Sequence, residues 1–296
     1  MTGTVAVLGP GAVGGALAVH LSLAGHHVVC VTRRESAEPI IGSGLTLELG
    51  EEKATAWPEV VELLGDPVDL LFVAVKAPAL DKALSRVARE AVAGGVVVSL
   101  LNGLEHVGTI RERLGAKTAA GSVSRFQAYR DGPSRIVQLT ETMVVTAASD
   151  DLSPDALTAA LAPLAAAGVD VRVESSERAV LWEKAARLGP LAAVTALSQR
   201  PVGELRTDPD WRPLLDGAIE ESCAVASADG VPLAPADQWA IVDAMADDLT
   251  TSTARDVAAG TPSELDAIAG AISRAGHRLG VPTPTLDSLL AKLEGA

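Results

Sequence analysis

Near the N-terminus, a β-favouring run, Thr4–Leu8 (TVAVL), leads straight into Gly9-Pro10-Gly11-Ala12-Val13-Gly14. An apolar-periodic stretch, Ala12–Ala24, starts inside that hexamer and stops at Gly25, and a second β-branched run, His27–Thr32 (HVVCVT), follows. Strand, glycine turn, helix and strand within about 30 residues form a βαβ unit. No other feature constrains the fold as strongly. A glycine hexamer alone is common in any chain rich in Gly and Ala; its placement after a strand and at the start of a helix is what carries information. In that setting Gly9 permits the tight turn, Gly11 lets the backbone approach a pyrophosphate, and Gly14 lets the helix pack closely on the strand. The phosphates would rest on the N–H groups of the helix N-terminus, at Ala12 and Val13. The alternative is a turn that binds nothing.

The strand-helix alternation continues. Pro67–Val75 and Val96–Leu101 read as buried strands, Asp81–Ala93 as a helix, and Ile136–Ala147 and Val169–Val173 as further strands. Continuous apolar strands alternating with helices imply a parallel sheet covered on both faces. After about residue 175, segments 177–199, 209–229, 235–258 and 262–279 show helical spacing, with breaks at Pro- and Gly-containing turns. A chain of 296 residues suits two domains. The expected fold is α/β: a Rossmann-type dinucleotide-binding domain over residues 1–173, then an all-helical C-terminal domain over 174–296 carrying substrate and catalytic residues.

Composition removes several function classes. Aromatic residues are 2% of the chain and the net charge is −14, so neither a base-stacking surface nor a basic face for nucleic acid is expected. No stretch of 18 apolar residues lacks charges and breakers, which argues against a membrane partner. The opening Met-Thr-Gly-Thr has no basic region or cleavage site of a secretory leader. Two distant cysteines, Cys30 and Cys223, make no disulfide framework and fit a reducing, cytoplasmic setting. The five histidines (His20, His26, His27, His106, His277) lack ligand spacing, so no metal is expected.

The end of the second strand selects the cofactor. An NAD site usually has Asp or Glu there to accept from the ribose 2′-hydroxyl. This chain has Thr32-Arg33-Arg34. A guanidinium suits a 2′-phosphate, so NADPH/NADP+ is the expected cofactor, with Arg33 as its discriminating residue. Two solvent-facing arginines would look the same in the sequence. Lys76 and Asn102 close two later strands, in Val73-Ala74-Val75-Lys76-Ala77 and Leu100-Leu101-Asn102-Gly103. Ligands of open α/β sheets bind beyond the carboxyl ends of strands, which makes both residues candidates for the nicotinamide end and the substrate; simple turn roles remain open.

Together with the glycine loop, these segments resemble the ketopantoate reductase (2-dehydropantoate 2-reductase) family. Leu181-Trp182-Glu183-Lys184 is similar to that family's motif around its catalytic lysine, and Pro201-Val202-Gly203-Glu204-Leu205 to the segment that follows. Ser252, Thr261-Pro262-Ser263-Glu264-Leu265-Asp266 and Gly280-Val281-Pro282-Thr283-Pro284 resemble its C-terminal signature. The resemblance implies hydride transfer from nicotinamide to a ketone carbon. Lys184 would bond the carbonyl oxygen and supply the proton, Glu264 would orient Lys184 or a substrate hydroxyl, and Ser252 would contact a carboxylate. Many members of that family dimerise through the helical domain, so a homodimer is one assembly the resemblance allows.

The residues themselves are compatible with those roles. Leu181, Lys184 and Leu188 fall on one helical face, which places the lysine inward where desolvation lowers its pKa; a snorkelling lysine is the alternative. Thr261-Pro262-Ser263-Glu264 is also a capping-box pattern with proline at the first helical position, which alone would account for Glu264. Ser252 is an ordinary helix-surface residue by pattern. The chain departs from the family where Leu188, Ala192 and Val202 replace three asparagines. A site that bonds a hydroxyl rejects analogues strongly, and an apolar one does not. The expected substrate is therefore a small ketone or 2-keto acid more apolar than ketopantoate. Gly189-Pro190 should kink the helix after Lys184. Ketopantoate itself, a β-hydroxyacid dehydrogenase relative, and a non-catalytic dinucleotide sensor are the competing readings. The segment Ser176–Glu183 lacks the glycines of the second.

Overall fold

The computed structural model describes residues 3–295. The chain divides into two compact units: Met1–Leu101 with His106–Val180, and Asn102–Glu105 with Leu181–Ala296.

The first unit contains twelve strands among its described residues: β1 (Thr4–Leu8), β2 (His27–Val31), β3 (Leu45–Leu49), β4 (Glu52–Ala56), β5 (Glu59–Val61), β6 (Leu70–Val73), β7 (Val96–Ser99), β8 (Lys117–Ser124), β9 (Ala128–Arg130), β10 (Arg135–Gln138), β11 (Val144–Ala148) and β12 (Asp170–Val173). Eight form one sheet in the order β12-β11-β8-β7-β6-β1-β2-β5. All its pairings are parallel except β8 with β11, which run antiparallel. Alternate residues of β1 feed two cores. Val5 and Val7 join Leu17, Leu21 and Ile136 on one face; Ala6 and Leu8 join Leu71, Leu84 and Ile110 on the other. This two-sided burial is why the strands read as continuous apolar runs.

A second sheet, β4-β3-β10-β9, was not anticipated. The expected single strand Ile136–Ala147 is two strands in different sheets, β10 and β11. β10 turns Ile136 towards the glycine-rich helix Ala12–Leu23, where a side chain on Gly15 would lie 2.8 Å from the Ile136 Cδ1. Likewise Asp81–Ala93 is not one helix but two short ones, Leu80–Leu84 and Arg89–Val92.

Among the described residues, every element after β12 is helical, beginning with Glu177–Ser198. The helical unit continues with Val202–Thr207, Arg212–Ala228, Pro235–Asp243, Ser252–Ala258, Ala271–Leu279 and Pro284–Glu294. The expected helix 235–258 is broken because Thr251 starts a new one: its side chain accepts from the Ala254 N–H at 3.1 Å. The same hydroxyl meets Thr195 Oγ1 at 2.7 Å in a buried pair, tying the new helix to the long one. Trp182 Nε1 donates to Asp229 Oδ2 at 2.8 Å and pins the long helix to the end of Arg212–Ala228. The Glu177–Ser198 helix runs unbroken through Pro190. Gly189 permits close packing, since a Cβ there would come within 2.5 Å of Ile272 Cδ1. None of the described helices is long and apolar enough to cross a membrane.

Candidate active site

The glycine loop has the local geometry its sequence demands. Gly9 has φ +89°, and a Cβ there would strike Val75 Cγ1 at 2.4 Å. A Cβ on Gly14 would lie 2.3 Å from the Gly9 carbonyl oxygen. Gly11 is different: nothing lies within 4 Å of its absent side chain. It sits at the N-cap of Ala12–Leu23, and no side chain caps that end. Space over Gly11 and an uncapped helix start that includes Ala12 and Val13 fit a pyrophosphate.

Beyond the end of β2, Arg33 is exposed at the start of the helix Arg34–Ser43. Arg34 pairs with Glu38 one turn along, which leaves Arg33 as the arginine of interest. Arg130, at the end of β9, was missed from the sequence. Burial, and then the neighbouring Arg33 charge, lower its pKa. Its guanidinium is anchored by the carbonyls of Gly132 and Pro133. The second sheet brings the two guanidinium groups near each other, a pairing that no local pattern announces. Lys76 is exposed at the start of the short turn Ala77–Ala79, three residues past the end of β6.

In the helical unit, three of the expected residues come together. Glu264 is buried, at 8% exposure, and its Oε2 accepts from Asn102 Nδ2 at 3.2 Å. The capping-box alternative for Glu264 fails, because the helix starts after it: a π-helical turn, Asp266–Gly270, leads into Ala271–Leu279. Such turns are uncommon and often mark functional sites. The Asn102-Gly103 turn lies against it. Gly103 has φ +108°, and a Cβ would fall 2.1 Å from the Ala267 carbonyl oxygen.

Lys184 is the third member. Burial pushes its ammonium down to about 8; the Arg187 charge adds to that, and the Glu264 carboxylate opposes it. The face it occupies differs from the expectation. Trp182, Ala185, Ala186, Gly189 and Pro190 are the buried positions, whereas Leu181, Lys184, Arg187 and Leu188 keep partial exposure. The amine is thus desolvated on a half-open face rather than inside the core. Arg187, one turn from Lys184, was overlooked although its i+3 spacing was visible. Ser252 is exposed at the first position of its helix, next to the buried Thr251, and is not part of the Lys184–Glu264–Asn102 group. Of the three positions that carry apolar residues instead of asparagine, Ala192 and Val202 are fully buried and only Leu188 keeps exposure.

The family model described as "Ketopantoate reductase PanE/ApbA" matches residues 5–150, and its "C terminal" counterpart matches residues 177–296. The chain belongs to the ketopantoate reductase PanE/ApbA family. Among its relatives, the 2-dehydropantoate 2-reductase of Caulobacter vibrioides is 31% identical, the match covering 99% of each chain. An oxidoreductase of Bacillus subtilis without an assigned reaction, YkpB, is 23% identical over 97% of each. The solved PanE/ApbA family ketopantoate reductase of Ralstonia eutropha is 29% identical and covers 98% of this chain and 97% of its own, with a TM-score of 0.87. The ternary structure of D-mandelate dehydrogenase with NADH and anilino(oxo)acetate superposes with a TM-score of 0.90 at 22% identity, covering 99% of this chain and 97% of its own. The last likeness shows a shared fold. Membership makes this chain an oxidoreductase of the C=O/CH–OH couple, in a family of NAD(P)-dependent 2-keto acid reductases.

Proposed function

We propose that the protein is an NADPH-dependent reductase of apolar ketones or 2-keto acids, with Lys184 as its proton donor. The observation that carries this reading is the desolvated Lys184 amine, near pH 8, coupled to a buried Glu264 that Asn102 holds. NADPH, when bound, supplies the hydride to the carbonyl carbon. The Lys184 ammonium bonds the carbonyl oxygen and donates the proton that completes the alcohol. Glu264 keeps that ammonium charged against the pull of burial. Gly9, Gly11, Ala12, Val13 and Gly14 would hold the pyrophosphate, and Arg33 the 2′-phosphate, with Arg130 adding a second guanidinium. Lys76 and Asn102 would order the nicotinamide end, and Ser252 a substrate oxygen.

The half-exposed Leu188 supports a substrate with an apolar substituent, since a leucine offers no hydrogen bond to a hydroxyl. The test is NADPH oxidation by the purified protein across ketopantoate, 4-methyl-2-oxopentanoate, phenylglyoxylate and hydrophobic ketones. Preference for the apolar compounds is expected; selective turnover of ketopantoate would make it a ketopantoate reductase proper. Charge-assisted hydrogen bonds contribute about 1.5–3 kcal/mol. Arg33→Ala should therefore raise the KM for NADPH by about 10–100-fold while leaving NADH unchanged. Equal NADH and NADPH kinetics in both proteins would refute the cofactor assignment.

A further inference from the structure

Arg187 follows Lys184 by three residues on one helix, so the two cations leave the same half-open face. Its guanidinium is withdrawn from water, and burial pushes its pKa below the ordinary value. Its hydrogen bonds go to neutral acceptors. Nη1 donates to the Glu183 carbonyl and lies 3.4 Å from Oε1 of the buried Gln238. Among the described residues no carboxylate bonds to it; Glu183, which exerts the one favourable charge on it, is exposed. The other carboxylate of this neighbourhood, Glu264, faces Lys184 and accepts from Asn102.

Desolvating a cation is costly unless an anion compensates. A guanidinium is the side chain best shaped to grip a carboxylate through two parallel bonds. One helical turn also sets the right spacing, because side chains at i and i+3 stand about 5–6 Å apart at Cβ. The carboxylate and carbonyl of a 2-keto acid are on adjacent carbons. A cation pair one turn apart can take both, with the carbonyl oxygen on Lys184. Leu188, the next residue on this face, then meets the substituent on the far side of the carbonyl.

We propose that Arg187 binds the substrate's carboxylate and so is the residue that selects the 2-keto acid over a neutral ketone. This rests on the reading of Lys184 as the proton donor. It also accounts for how a face lacking the family's asparagines orients its substrate: one charged contact replaces several amides.

The experiment compares wild type, Arg187→Gln and Arg187→Lys with the best-used 2-keto acid of the panel above and with its methyl ester. Assays run at a pH well below 8, where Lys184 stays protonated in every variant. For Arg187→Gln, kcat/KM for the acid should fall about 10–100-fold, mainly through KM, with little change for the ester. Arg187→Lys should recover part of the loss. NADPH binding and the melting temperature report that the variants are folded. Equal losses for acid and ester, or no loss, overturn the role of Arg187 while leaving the reductase reading intact. If wild type reduces neutral ketones but no 2-keto acid, only the Arg187 assignment falls; if it reduces neither, both fall. If it prefers the ester, only the Arg187 assignment does.

Discussion

At the scale of single residues, Lys184 sits among three opposing influences. Burial lowers its pKa most, Arg187 lowers it further, and Glu264 raises it. A general acid must carry its proton, so carbonyl reduction should decline as pH rises through about 8, by roughly tenfold per unit beyond it. Glu264→Gln removes the one influence that favours the ammonium. The proton is then lost at lower pH, and the falling limb of kcat against pH should move to the acid side. A limb that stays in place, or moves to the alkaline side, would show that Glu264 does not act on Lys184. Lys184→Met should lower kcat by about 10²–10⁴-fold, the range for a positioned acid, without weakening NADPH binding.

At the scale of elements, the group depends on how closely the Asn102-Gly103 turn meets the π-helical turn Asp266–Gly270. Gly103 combines φ +108° with a 2.1 Å conflict between an added Cβ and backbone oxygen, which cannot rotate away. Gly103→Ala should cost about 1–3 kcal/mol, lower the melting temperature and loosen the Asn102–Glu264 bond, so that kcat falls as well. Gly108→Ala is the control. Gly108 is exposed within His106–Leu114 with open space around it, and alanine there should stabilise by about 0.5–1 kcal/mol. If both variants melt like wild type, the close approach is not a constraint.

These same elements show which parts of the fold were legible in the sequence. β1, the glycine loop and the start of β2 were readable because strand pattern, turn residues and helix period agree locally. β3, β4 and β9 were not read, and β10 was merged with β11, because the second sheet is closed by the pairing of β3 with β10, about ninety residues apart, which no local pattern announces. With it went Arg130, which only that sheet brings near Arg33. Glu264 shows the converse failure. A locally consistent capping pattern was overridden by a tertiary partner, Asn102, and by the π-helical turn that follows.

At the scale of the whole molecule, the surface charge opposes the ligands. Thirty-eight acidic side chains against twenty-four Lys and Arg give a net charge of −14, yet the proposed ligands, NADPH and a 2-keto acid, are anions. On that reading the attraction is local, at Arg33 with Arg130 and at Lys184 with Arg187, and it acts only after approach. Long-range repulsion between like net charges slows encounter, and salt screens it, since the Debye length falls from about 30 Å at 0.01 M to about 8 Å at 0.15 M. Contacts made at hydrogen-bond distance survive that screening far better than a field acting across the protein surface. The association rate constant for NADPH, followed by stopped-flow fluorescence, should therefore rise as ionic strength increases over that interval. Arg33→Ala should show the same rising trend, with its loss expressed mainly in faster dissociation. An association rate that falls with added salt, as at a basic funnel, would mean that the local arginines dominate the field well beyond the binding loop.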